Sequence, residues 1–306
     1  MQVLEPREVP LGGLRAMLVR RTLPHRDRSF VGAWCFADHY GPTRVGADGP
    51  GMDVAPHPHT GRQTVSWLFD GEIEHRDSGG FHALVRPGEI NLMTAGRGVA
   101  HSEVSTPTTE VLHGVQLWVA LPEEARHVER TFEHHAASVM ELPAGAGAAR
   151  VFLGELRDIA ASPVHTFTPL LGAQLDLTPG AEVTITLDPA YEHGVLLDTG
   201  DLRVDGAELH TGSLACLDAG PASLRLVTDQ GARLVLLGGK PFEEEIVMWW
   251  NFVGRSHEEV ATLREEWEAG SERFGTVQGY AGARPRIPAP PLPGGRLRPR
   301  GRLRRA

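Results

Sequence analysis

Cysteine is nearly missing from this 306-residue chain: Cys35 lies between Trp34 and Phe36, and Cys216 lies within Leu214-Ala215-Cys216-Leu217. Two thiols in such settings exclude a disulfide framework and read as small buried hydrophobes. Long apolar runs are missing as well. None approaches the roughly 20 residues that a membrane-spanning helix needs, and Met1-Gln2-Val3-Leu4-Glu5-Pro6-Arg7 has neither the basic nor the apolar region of a secretory signal. A cytoplasmic location with no membrane partner is therefore expected. Net basic charge is absent too: the formal charge of −9 argues against nucleic acid as a partner over the whole surface. Apolar residues make up a modest 41%, whereas 36 glycines and 23 prolines suit many short strands joined by tight turns. At about 150 residues per domain, the length calls for two domains.

What the chain does have is two histidine dyads. His57-Pro58-His59 and His101-Ser102-Glu103 each place two metal-ligating side chains at i and i+2. On a strand that spacing points both side chains to one face, so each dyad offers two teeth of one claw. Three imidazoles and one carboxylate form a borderline donor set, suited to iron(II), nickel, cobalt, manganese, copper or zinc rather than to calcium or a thiolate-bound cluster. With fifteen histidines some pairs fall two apart by chance, but the surroundings argue otherwise. The first dyad opens into the alternating stretch Thr64-Val65-Ser66-Trp67-Leu68-Phe69, which ends at the turn Asp70-Gly71. A second turn follows at Arg86-Pro87-Gly88-Glu89, and the glycine-loosened segment from Met93 re-enters a strand at the second dyad. Strand, turn, strand, turn, strand is the rhythm of an antiparallel barrel whose inward faces bring the dyads together.

These residues resemble the pirins, two-domain members of the cupin superfamily. The likeness runs through Pro10-Leu11-Gly12-Gly13, Arg20-Arg21-Thr22-Leu23-Pro24, Asp38-His39-Tyr40-Gly41-Pro42, His57-Pro58-His59, Gly71-Glu72-Ile73-Glu74-His75-Arg76-Asp77-Ser78, Met93 to Glu103 and His113-Gly114-Val115-Gln116-Leu117-Trp118. These blocks stand in family order over most of the first 120 residues, and a weaker likeness continues to about Phe274. The resemblance implies an all-β fold of two cupin-type (jelly-roll) barrels with a C-terminal helix packed back on the chain. It also implies metal ligands at His57, His59, His101 and Glu103. The general cupin motif has a glutamate four residues after its second histidine, where this chain has Gln63. In pirin-like sites the carboxylate comes from the second dyad, so Gln63 is expected either to orient a ligand from behind or to line the barrel as an ordinary polar residue.

The expected division is a metal-binding barrel over 1–138, a second barrel with its metal site erased over 139–245, an interdomain segment and helix over 246–280, and a Pro/Arg-rich tail over 281–306. Strand-like stretches recur in the second barrel at 172–177, 182–187, 194–197, 201–204, 213–217 and 232–237, and its His193 and His210 belong to no dyad. Ile246 to Phe252 is too apolar to stay exposed and is expected between the domains. Ser256-His257-Glu258-Glu259 is a capping-box signature opening a helix with Val260, Leu263 and Trp267 on one face. From Arg284 onward the tail carries eight arginines and no acid, which predicts an extended or disordered segment, at least after Pro293, solvated and without a specific role.

For function, the resemblance implies quercetin 2,3-dioxygenase activity: ring-opening of a flavonol by O2 with loss of carbon monoxide, by a monomer whose partners are a small aromatic substrate and O2. Four protein ligands leave one or two positions on a five- or six-coordinate ion, whereas tetrahedral zinc would be closed. Fe(II) is the preferred cofactor, with Ni, Co, Mn, Cu and Zn compatible. Glu103 is the expected base for the flavonol hydroxyl. Histidines of ordinary pKa, about 6.5, predict that metal occupancy and activity fall together below about pH 6. The rival reading, also implied by the resemblance, is a non-catalytic metal- or redox-dependent regulator that binds a protein partner, a transcription factor or a metabolic enzyme. Trp67, Phe69, Met93 and Trp118 are candidates to line the first barrel, with plain core packing as the competing assignment.

Overall fold

Period-two burial organises the chain: in Ile73–Asp77, Ile73, His75 and Asp77 are buried while Glu74 and Arg76 between them are half-buried. The computed structural model describes every residue except 12–16, 46–50 and 303–306; Gly12, Gly13, Arg304 and Arg305 of the sequence blocks above lie outside the described residues. The first half contributes β1 (Gln2–Leu4), β2 (Arg7–Pro10), β3 (Leu18–Leu23), β4 (Trp34–Arg44), β5 (Asp53–His59), β6 (Arg62–Asp70), β7 (Ile73–Asp77), β8 (His82–Val85), β9 (Glu89–Thr94), β10 (Val99–Ser105), β11 (Val111–Ala120) and β12 (Thr131–Ala136). Among the described residues they form a sheet in the order β12-β9-β6-β11-β4-β3-β2 and a smaller one in the order β5-β10-β7-β8, all antiparallel. The chain then passes to the second half between Ala136 and Met140.

The second half repeats the plan. One sheet is built on Gly147–Leu156, Leu170–Leu177, Glu192–Gly200, Leu214–Leu217 and Ala232–Gly239, and a four-stranded sheet on Glu182–Thr186, Leu202–Val204, Ala207–Leu209 and Ser223–Val227. The architecture is all-β in two barrels with one C-terminal helix, as the sequence leads one to expect. The amino terminus departs from the 1–138 division, because β1 pairs with Leu214–Leu217 and so extends the second barrel's sheet.

The halves share a core. Phe30, Trp34 and Trp67, with Leu117 and Val119 of β11, pack in one cluster with Phe152, Leu153, Leu196 and Leu237. Polar groups are matched across this seam. Trp34 Nε1 donates to the carbonyls of Leu171 and Gly238, Trp67 Nε1 donates to Gln174 Oε1 at 2.8 Å, and buried Arg28 pairs with Glu192 at 2.6 Å. His39 Nε2 and His113 Nε2 both lie 2.6 Å from Asp198 Oδ1.

Helix α1 (His257–Glu268) starts where the capping signature places it: Ser256 Oγ accepts from Glu259 N at 3.1 Å. The return bond of the box differs, since Glu259 Oε2 accepts from Arg255 N, one residue before the cap. Val260, Leu263 and Trp267 are buried against Val247, Phe252 and Phe274. The hairpin Val247–Trp249 and Phe252–Gly254 thus lies under α1, while Ile246 and Val253 reach the shared core. The tail is extended and mostly exposed, yet fastened to the folded surface at several points. Ile287 N donates to Pro56 O, Ile246 and Arg300 exchange backbone bonds, and Ser29 N donates to Arg302 O. Arg302 also reaches buried Glu192 at 2.5 Å. A proline-rich strand needs no core of its own once its carbonyls find donors on a folded surface, as Trp267 Nε1 on Ile287 O and Arg264 Nε on Pro290 O. No helix among the described residues is long and apolar enough to cross a membrane.

Candidate metal centre

Register brings the two dyads side by side. β5 and β10 pair antiparallel with His101 opposite His57 and Val99 opposite His59, and β7 flanks β10 with Asp77 opposite His101 and His75 opposite Glu103. An irregularity in the β5 ladder between His101 and Glu103 turns the strand just where the donor changes from imidazole to carboxylate. At the end of β5, Gly61 holds φ +65°, and a Cβ there would sit 2.5 Å from Val253 O, so the β5–β6 corner closes tightly against the hairpin.

His57, His59 and His101 are buried, and each presents a ring nitrogen within 4.8 Å of the others. Their protonation is set from behind. Asp77 Oδ2 lies 3.3 Å from His75 Nε2, and His75 Nδ1 lies 3.3 Å from His101 Nδ1. A carboxylate can only accept, so a neutral His75 donates from Nε2, accepts at Nδ1 from His101, and leaves His101 Nε2 with a bare lone pair. His57 reaches the same state by donating Nδ1–H to Ala55 O at 2.9 Å. His59 Nε2 lies 2.7 Å from His101 Nε2 and 3.4 Å from Arg62 Nη2, a group that can only donate. Two bare imidazole lone pairs at that separation repel unless a cation faces both. The donor set therefore fits a transition-metal ion.

Glu103 adjoins this group through His101. Its Oε1 accepts from Ser66 Oγ at 3.0 Å and its Oε2 from Gln116 Nε2 at 2.7 Å, and its carboxylate groups with His75 and His101 within 4.8 Å. Gln63 does not orient a ligand: its amide donates to Thr94 Oγ1 at 3.0 Å. Ser66 and Gln116 perform that service, and His75 and Asp77 perform it for His101. Sequence reasoning missed all four as functional residues, although His75, Asp77 and Gln116 stand in the quoted family blocks.

Electrostatics favour the neutral ligand state. Burial pushes the His57 pKa down to about 4 against the pull of its bond to Ala55, with Arg62 and His75 adding to the fall. Burial, then His57, His75 and Arg62, hold His101 well below the ordinary value. Arg62 is fully buried over the Trp118 ring, with Nε and Nη1 unpartnered. Proton competition thus sets in lower than an ordinary imidazole predicts. Metal content, measured after equilibration across pH, is expected to hold to about pH 5 and to fall near pH 4 rather than at pH 6; release centred on pH 6 would show that the rings titrate as solvent-exposed groups.

A cavity of about 1410 Å³ opens on His57, His59 and Glu103 and is lined further by Phe36, Trp118, Met248 and Trp250. Phe36 and Trp118 stack at 3.8 Å and are capped on their outer faces by Arg21 and Arg62, so it is ring edges that reach the cavity. Of the four candidate lining residues only Trp118 takes that place. Trp67 stacks on Phe152 across the seam, Phe69 meets His113, and Met93 packs with Phe132. A second cluster, His39, His113 and Asp198, also gathers donors within 4.8 Å. There Arg20 Nε donates to His39 Nδ1 at 3.3 Å, which places the ring proton on Nε2 facing Asp198, and Arg233 lies 3.4 Å from Asp198 Oδ2. Asp198 Oδ1 thus takes both imidazole protons, while Asp198 Oδ2 faces Arg233 without a hydrogen bond. Cys35 and Cys216 are both buried, and burial raises each thiol to about 12.

The sequence and fold have close parallels. Residues 16–119 match the Pirin family model and residues 172–275 match the Pirin C-terminal cupin domain. A Pseudomonas aeruginosa protein provisionally named quercetin 2,3-dioxygenase is 42% identical over 301 residues, covering 96% of this chain and 91% of that protein. A pirin-like protein of Caulobacter vibrioides is 36% identical over 276 residues, 88% of this chain and 93% of that one. The crystal structure of a quercetin 2,3-dioxygenase from Acinetobacter baumannii superposes with a TM-score of 0.91 at 39% identity, covering 97% of each chain. With both barrels matched to the family models and relatives this similar along nearly the whole chain, the protein belongs to the pirin family.

Proposed function

We propose that the chain is a metal-dependent dioxygenase of pirin type that opens the ring of a flavonol with O2, with His57, His59, His101 and Glu103 holding the ion and Fe(II) as that ion. The observation that carries this reading is the approach of His59 Nε2 to His101 Nε2, 2.7 Å apart, with His57 beside them and an open cavity in front. The resemblance to proteins named quercetin 2,3-dioxygenase supplies the substrate class. When bound, the ion supplies a Lewis-acid template on which an enolate oxygen and O2 can meet.

The protein's own residues do the rest. The stacked Phe36 and Trp118 rings, covered on their outer faces by Arg21 and Arg62, present their edges to the cavity and give a substrate apolar contact there. Glu103 takes the proton from the flavonol hydroxyl: each of its oxygens accepts one bond, from Ser66 or Gln116, and keeps a second lone pair. Those two bonds also fix the carboxylate's plane, so the proton moves to an oriented acceptor. Deprotonation makes the substrate electron-rich enough to react with O2.

The test is O2 uptake and carbon monoxide release by the metal-loaded protein with quercetin. No uptake at full metal content overturns the proposal. A Glu103→Gln protein, loaded to the same level, is expected to lose about 10²–10⁴-fold in kcat, the usual worth of a positioned base. Undiminished turnover in that variant would remove the proton-transfer role from Glu103 and leave the metal reading standing.

A further inference from the structure

We draw no further inference here: the strongest candidate, the wall of the cavity above the proposed metal site, where Arg7 and Arg284 make no ion pair among the described residues, carries nothing, because Asp53 and Glu103 line the same cavity and offset the two charges.

Discussion

The His101→Ala protein is expected to purify nearly free of metal, with affinity at least about 100-fold weaker than the parent chain, while the His75→Phe protein is expected to bind metal about tenfold less tightly. The contrast follows from the roles of the two rings. His101 is the hub: Nε2 faces His59, and Nδ1 hands its proton toward His75 and Asp77. Alanine removes a donor and releases the pressure that keeps His59 in place. His75 acts one step back. Phenylalanine keeps its stack on Phe132, 4.8 Å between ring centres, but deletes the acceptor that pins the His101 tautomer. Elemental analysis and chelator competition check both. The comparison also separates two placements of the ion, because His75 groups with His101 and Glu103 as closely as His57 and His59 group with His101. If His75→Phe abolishes binding as fully as His101→Ala, the ion sits toward His75 and Glu103 instead.

Much of this centre was legible in the sequence because period two is exact on a strand: i and i+2 in His57-Pro58-His59 could only share a face once β5 formed. The fold class followed from turn chemistry and alternation in the same way, and α1 from its cap. What could not be read was whatever depends on register between distant strands. The Asp77–His75–His101 chain exists because β7 pairs with β10 at Asp77 opposite His101. The support of Glu103 by Gln116 depends on a strand from the other sheet. The same limit explains Gln63, whose place in a motif suggested a neighbour of the metal but whose actual neighbour across the β6–β9 ladder is Thr94. Burial supplied the other surprise: an imidazole's ordinary pKa is a property of the residue, whereas the value of about 4 at His57 belongs to its surroundings. The tail's attachments could not be read for a related reason, since composition tells how much core a segment can build and not what surface awaits it.

Asp198→Ala is expected to cost about 3–5 kcal/mol of stability, read as a large drop in the denaturation midpoint, with metal content unchanged. Asp198 is buried, and its Oδ1 accepts from His39 of β4 and His113 of β11, so one carboxylate fastens two strands of the seven-stranded sheet to the second barrel. Removing it leaves two buried N–H donors without their acceptor, while Arg233 keeps Asp176 at 3.5 Å. Burial alone would raise this carboxyl's pKa, yet the bonds from His113 and His39 outweigh it and hold the value down to about 2. A carboxyl depressed from about 3.9 in the unfolded chain contributes stability that is complete above about pH 4 and is lost as pH falls through about 2. The parent chain should therefore lose stability over that acid window, and the alanine variant should lack that part of the loss. A variant as stable as the parent at neutral pH would show that the apolar seam of Trp34, Trp67 and Phe152 joins the barrels unaided. A variant that loses metal as well would place an ion among His39, His113 and Asp198, where Asp198 Oδ2 makes no hydrogen bond.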